Sequence, residues 1–210
     1  VTLVHGFAQN GACLGPLLDH LALERTVVAV DAPGHGGSLT HATADLWTGA
    51  ELLVATAGRC DLVGYSMGAR LSLHAALRSP EQVDSLVLIG GTAGIDDDAE
   101  RAQRRESDEL LARRLERDGL DRFVEQWLDL PMFAGLPTWA RFDAERRTNT
   151  VEGLAASLRA AGTGAMDPLW TQLDAVRCPV LCITGERDER YGTLAERIVE
   201  LVGGPARHVV

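Results

Sequence analysis

Gly64-Tyr65-Ser66-Met67-Gly68 has the form Gly-x-Ser-x-Gly, and its surroundings decide the fold. It follows the apolar pair Leu62-Val63 and precedes a helical run from Ala69 to Leu77. A serine at so tight a strand-to-helix turn is held in a strained backbone conformation with its hydroxyl exposed. Glycines two residues to either side leave room for the neighbouring strand and helix. The helix start aims free N–H groups at the same point, which favours developing negative charge. The turn therefore offers a nucleophile or base with part of an oxyanion hole. The competing reading is a glycine-flanked serine in an ordinary strand-helix connection.

Working outward, Val1 to Val4 reads as a strand ending at His5-Gly6-Phe7, and Leu14 to Leu23 as a helix. Thr26 to Val30 reads as a second strand that ends at Asp31 and the turn Pro33-Gly34-His35-Gly36-Gly37-Ser38. Leu46 to Ala57 is helical, and Val83 to Ile89 is a further apolar strand closed by Gly90-Gly91. Strands that are apolar throughout and alternate with helices predict a parallel sheet covered on both faces. From Ile95 to about Thr171 the alternation stops. Asp96 to Asp118 is dense in both charges, and Leu120, Phe123, Val124, Trp127 and Leu128 keep helical spacing. This predicts a helical cap over residues 95–171, inserted into an α/β core made of residues 1–94 and 172–210. The core resumes with Val180 to Ile183, a helix from Thr193 to Leu201 and a last strand from Arg207.

The chain has 210 residues, of which 46% are apolar, enough for one domain with a sizeable core. Its formal charge of −10 argues against nucleic acid or an anionic membrane as partner. No apolar run approaches a membrane span. Cys13, Cys60, Cys178 and Cys182 contain no Cys-x-x-Cys and read as structural thiols in a reducing, cytoplasmic compartment, with no metal and no cofactor expected.

Ligands of parallel sheets bind at the carboxyl ends of the strands. Four polar features fall there: His5-Gly6-Phe7, the Asp31 to Ser38 turn, Ser66 and Asp188. Ser66 needs a base, and the base needs a carboxylate to orient it. Asp188 follows a strand and comes after Ser66, the chain order of this architecture. The competing reading is a helix N-cap before Thr193, or a surface acid paired with Arg187 or Arg190. The backbone N–H groups of Phe7 and Met67 are candidate oxyanion-hole donors, while His5 reads otherwise as a loop histidine bonded to nearby backbone.

With the serine turn, His5-Gly6-Phe7 and Asp31-Ala32-Pro33-Gly34-His35-Gly36-Gly37-Ser38, the chain resembles the α/β-hydrolase superfamily. Three further stretches narrow the resemblance: Gly64 to Arg70, Ser157 to Gly164 running on to Pro168-Leu169-Trp170, and Gly185-Glu186-Arg187-Asp188. They are similar to the 2-succinyl-6-hydroxy-2,4-cyclohexadiene-1-carboxylate synthase family of menaquinone biosynthesis, over nearly the whole chain. That resemblance implies a lyase. A proton is removed from a substrate bearing a succinyl ketone, a ring carboxylate and an enolpyruvyl ether; pyruvate leaves, and the triad serine acts as base. It also implies that Tyr65, Arg70, Arg104, Trp127 and Arg147 bind a polycarboxylate small molecule. From the residues alone, a buried Arg70 needs an anionic partner, either a ligand carboxylate or an internal acid. Arg104 fits a solvated charged helix, and Trp127 fits the apolar stripe of the cap. The family's triad histidine is expected in the loop beyond Val210, and His208 is not assigned that role. The chain, opening on Val1 inside a strand, is expected to be a fragment of a larger enzyme. The alternatives are a carboxylesterase or carbon–carbon bond hydrolase on the same scaffold, and a ligand-binding module without catalysis.

Overall fold

The computed structural model describes residues 1–210. All six strands are parallel: β1 (Thr2–Val4), β2 (Val28–Val30), β3 (Cys60–Tyr65), β4 (Val83–Ile89), β5 (Val180–Ile183) and β6 (Ala206–Val209). The order across the sheet is β2-β1-β3-β4-β5-β6. After β2 the chain crosses back over β1 to start β3, so the order reverses between β1 and β3. The loops that leave these two strands carry His5-Gly6-Phe7 and Ser66, and such a switch point is where open parallel sheets form crevices. β2 is an edge strand, and Val28 on it is exposed although the residue is apolar.

The helices around the sheet are α1 (Gly15–Leu21), α2 (Leu46–Ala57), α3 (Met67–Arg78) and, after the insertion, a last helix, Glu189–Leu201. The helix expected over Leu14 to Leu23 forms as α1, two residues shorter at its end and preceded by a 3-10 turn. Gly11–Leu14 forms a 3-10 turn, and α1 starts afresh with Pro16 in its first turn, where a missing N–H costs nothing. α3 is buried along nearly its whole length, Met67 through Ala76, so it is the helix pressed most deeply onto the sheet. Leu62, Leu71, Leu73, Leu86, Leu88, Leu173 and Ile198 meet in the main core.

Between β4 and β5 no strand occurs. α4 (Asp98–Asp118), α5 (Leu120–Leu128), the short α6 (Asp143–Arg146) and α7 (Val151–Ala161) fill this span, with 3-10 turns between them. Asp97 caps α4 and Thr150 caps α7, each side chain accepting an N–H of the first turn. α4 packs on α5 and α7 around Ala112, Leu115, Phe123, Val124, Leu128, Leu154 and Leu158, a second and smaller apolar cluster. The last helix, α8 (Glu189–Leu201), starts a turn earlier than Thr193, because the Asp188 side chain accepts the N–H of Tyr191 and fixes the start there.

Polar bonds seat the insertion on the carboxyl edge of the sheet. Asn10 donates to the Glu145 carbonyl and to Thr148 Oγ1, both at 2.9 Å. Asn149 Oδ1 accepts the N–H of Gly36 at 2.9 Å, and Asn149 Nδ2 donates to the Gln9 carbonyl. Asp31 holds the two loops below them together, accepting from Gly11 N–H and Gly37 N–H.

Candidate active site

Ser66 lies between β3 and α3 at φ +52° and ψ −107°, a left-handed conformation costly for a residue with a side chain. Its flanking glycines are required in opposite directions. A Cβ on Gly64 would run into the carbonyl of Gly68 in the helix, and a Cβ on Gly68 would run into the carbonyl of Val4 in β1. The Ser66 side chain is half-buried and makes no hydrogen bond within the protein.

A cavity of about 440 Å³ opens above it, between the strand ends and the insertion. Of the residues singled out from sequence, Phe7, Tyr65, Ser66, Met67, Arg70, Arg104 and Trp127 line it. The Phe7 N–H has no acceptor in the protein, and Met67 supplies the first helical N–H of α3, which has no intrahelical partner. The Trp127 ring stacks on Phe123 (5.8 Å) and meets Phe7 edge-on (5.4 Å), so it belongs to the small apolar cluster and to the cavity wall at once. Its indole N–H is buried without an acceptor.

The charged lining consists of four arginines, Arg70, Arg104, Arg114 and Arg146, and one acid, Asp108. Asp108 is engaged by Arg104, Nε to Oδ1 at 2.9 Å. Arg70 is 7% exposed and makes no ion pair; its one hydrogen bond is Nη1 to Thr163 Oγ1 at 2.6 Å. Burial pulls its pKa down to about 10. Arg146 is 2% exposed, also without a carboxylate, and burial lowers its pKa too. Its Nη1 donates to the Ala8 carbonyl and its Nε to the Arg141 carbonyl.

Arg147 is placed elsewhere. It faces outward to Asp121 (3.1 Å) and Asp143 (3.5 Å), outside the cavity lining. Arg147, expected to face a ligand, therefore stands outside the cavity, and the arginine of this stretch that lines it is its neighbour Arg146. The turn of α6 points adjacent residues in different directions, and the inward one is Arg146. Asp188 is exposed at the N-terminus of α8, outside the lining, and forms no ion pair with Arg187 or Arg190. Tyr191, three residues on, does line the cavity.

None of the six histidines hydrogen-bonds to Ser66 or Asp188. His5 is fully buried and neutral: Nε2 accepts the Ala32 N–H at 3.0 Å, Nδ1 donates to the Gly6 carbonyl, and burial lowers its pKa to about 4. His35 is its neighbour at 5.1 Å between ring centroids. Its Nε2 accepts the Ala8 N–H, and burial, then His5, lower its pKa to about 3. His74 donates to the Arg70 carbonyl within α3, and His208 pairs with Thr184 Oγ1 at 2.6 Å. His20 and His41 lie on the surface.

A family model described as alpha/beta hydrolase family matches residues 3–210. The chain belongs to the alpha/beta hydrolase family. Within this family it is similar to the 2-succinyl-6-hydroxy-2,4-cyclohexadiene-1-carboxylate synthase of Salmonella heidelberg, 35% identical over 80% of this chain and 70% of that protein. A Bacillus subtilis protein named provisionally for the same activity is 32% identical over 96% of this chain and 78% of its own length. Among solved structures, MenH from S. aureus superposes with a TM-score of 0.88 at 28% identity, covering 99% of this chain and 84% of that one. A structure from a study of Nitrososphaera gargenis carboxylesterases reaches 0.79 at 19% identity over 99% of this chain and 80% of its own, a likeness of fold alone. Ser66, strained between its two glycines, has the geometry of the strand-to-helix turn on which an alpha/beta hydrolase carries its serine.

Residues that sequence reasoning left out are Arg146, Thr163, Asp108 and Tyr191. Thr163 lay inside a stretch already quoted for its likeness. The other three are polar residues whose patterns in the chain do not separate them from surface neighbours.

Proposed function

We propose that the chain is a 2-succinyl-6-hydroxy-2,4-cyclohexadiene-1-carboxylate synthase, a carbon–oxygen lyase that eliminates pyruvate in menaquinone biosynthesis. The carrying observation is the charge of the cavity. In a chain of net charge −10, the space above Ser66 is lined by four arginines and one acid. Arg70 and Arg146 are buried there with no carboxylate of the protein to meet them. A buried guanidinium is costly without an anion, and a substrate carrying several carboxylates supplies one to each through bidentate hydrogen bonds. A neutral ester would leave both unmatched, which argues against the carboxylesterase reading.

Ser66 Oγ is the proposed base for the substrate proton, and the N–H groups of Phe7 and Met67 the proposed donors to the oxygen that gains charge as the proton departs. A serine hydroxyl needs a proton acceptor of its own. We place that imidazole in the segment that follows β6 in this fold, with Asp188 as the carboxylate that fixes its tautomer. Asp188 caps α8 through Oδ1, which leaves its second oxygen for that bond. Trp127 and Phe7 supply an apolar wall for the ring, and Arg104, paired with Asp108, a further cation in the lining. No helix is long and apolar enough to cross a membrane. The four free cysteines fit the cytoplasmic compartment proposed for this enzyme.

The test is product analysis with the full-length protein. Release of pyruvate from the enolpyruvyl intermediate, with simple acyl esters turned over at least about a thousandfold more slowly in kcat/KM, supports the synthase. Ester turnover without pyruvate release would make it a carboxylesterase. Tight binding of the intermediate with no turnover would make it a binding module.

A further inference from the structure

The stretch Gly162-Thr163-Gly164 closes the insertion against Arg70. α7 ends at Ala161, and the chain then passes directly beside α4. A Cβ on Gly162 would lie 2.6 Å from Asp108 Oδ2 and would also meet the carbonyl of Leu158. A Cβ on Gly164 would run into the backbone nitrogen of Arg105. Arg105 Nε in turn donates to the Gly164 carbonyl at 3.1 Å. The two glycines thus let the backbone pin itself to α4 at the turn that carries Arg104 and Asp108. The side chain between them, Thr163, is 8% exposed, and its Oγ1 accepts from Arg70 Nη1.

What holds Arg70 is therefore a neutral hydroxyl. The one acid nearby, Asp108, gives its Oδ1 to Arg104, and its Oδ2 is buried without a partner, so neither oxygen bonds to Arg70. A carboxylate in place of Thr163 would orient the guanidinium equally well but cancel its charge. A hydroxyl fixes one N–H and leaves the charge and the remaining N–H groups facing the cavity. We propose that Thr163 is a positioning residue that sets the charge specificity of the cavity, aiming Arg70 at a carboxylate of the ligand without neutralising it. This rests on the cavity being a polycarboxylate site.

The experiment compares Thr163→Val, which keeps shape and loses the hydroxyl, with Thr163→Ser, which keeps the hydroxyl, each alone and in an Arg70→Ala background. On the full-length enzyme, Thr163→Val is expected to raise KM for the enolpyruvyl substrate about tenfold, with kcat changed less than about threefold. Thr163→Ser is expected to stay within about threefold of wild type. In the Arg70→Ala background, Thr163→Val is expected to be silent, because the group it acts through is gone. A wild-type KM in Thr163→Val, equal losses in the valine and serine variants, or a full additional loss in the Arg70→Ala background would each overturn the proposal. If Thr163→Val does not fold, Thr163→Ala takes its place in the same comparison. If wild type releases no pyruvate, the synthase reading falls and the variants are compared by calorimetric titration with propane-1,2,3-tricarboxylate. Weaker binding in valine but not serine sustains the role of Thr163, and no binding by wild type ends both readings.

Discussion

Arg146 Nη1 donates to the carbonyl oxygen of Ala8 across 3.0 Å, bonding the helical insertion to the loop that follows β1. Ala8 sits at φ +57°, unusual for a residue with a side chain, and its N–H is held from the other side by His35 Nε2. The candidate oxyanion donor, the N–H of Phe7, precedes this clamped residue. The same guanidinium lines the cavity above Ser66. Arg146 thus ties the group proposed to meet the substrate anion to the loop proposed to stabilise the developing charge.

Arg146→Ala is expected to lower kcat/KM by about 3 kcal/mol, with losses in both kcat and KM, since it removes a ligand cation and releases the Ala8 carbonyl. Arg147→Ala removes surface ion pairs with Asp121, Glu125 and Asp143 and a bond to the Asp143 carbonyl, all outside the cavity, and its effect on kcat/KM is expected to stay within about 0.5 kcal/mol. Steady-state kinetics of the two variants side by side decide the matter. Comparable losses would mean that α6 presents both residues to the ligand.

Ser66→Ala is expected to lower turnover by about three or more orders of magnitude while the protein stays folded. Ser66→Gly carries a second expectation. The φ of +52° costs a serine about 1–3 kcal/mol, and glycine gives back up to about 1 kcal/mol of this through chain entropy. The glycine variant is expected to be inactive and about 1 kcal/mol more stable in urea unfolding. A variant less stable than wild type would mean that the turn is not strained.

Much of this arrangement was legible in the sequence because it rests on backbone geometry. Gly64 and Gly68 announce a turn that only glycines allow, and the apolar runs at Val83 to Ile89 and Val180 to Ile183 are strands at those residues. The span between them held no strand pattern, and the structure has none there. Side-chain direction was less legible. Arg146 and Arg147 are adjacent cations with the same side chain, so their sequence alone does not tell which one turns inward. Asp188 was read as a site carboxylate with a helix cap as the alternative, and it does cap α8. Arg70 could have met an internal acid; that it meets Thr163 instead depends on a contact 93 residues away in the chain.

Gly68→Ala is expected to cost more than about 3 kcal/mol, because the new Cβ meets the backbone of β1, which cannot move without breaking the sheet. Gly58→Ala is a control of different character. Nothing lies near its Cβ, and only the backbone, at φ +64° and ψ −161°, opposes it, so a cost of about 2 kcal/mol is expected. Thermal unfolding of both variants tests the contrast. Similar costs would mean that α3 lies farther from β1 than the structure has it.

Stability is expected to fall as the pH drops from about 6.5 toward 4. His5 and His35 are neutral in the fold, their Nε2 atoms committed as acceptors to Ala32 and Ala8, and burial lowers their pKa values to about 4 and about 3. In the unfolded chain both take up a proton near pH 6.5. Between these values the unfolded state binds more protons than the folded one, so stability rises with pH and is fully present above about 6.5. At pH 5 each of these two, and likewise the buried His74, whose pKa burial lowers to about 4, is expected to contribute a loss of about 2 kcal/mol relative to pH 7. Urea unfolding at pH 7, 6 and 5 measures it. His35→Gln, whose side-chain oxygen still accepts from Ala8 but does not titrate, is expected to flatten the curve by one histidine's share. A wild-type curve already flat over this range would mean that the buried imidazoles are reached by water and protonate in place.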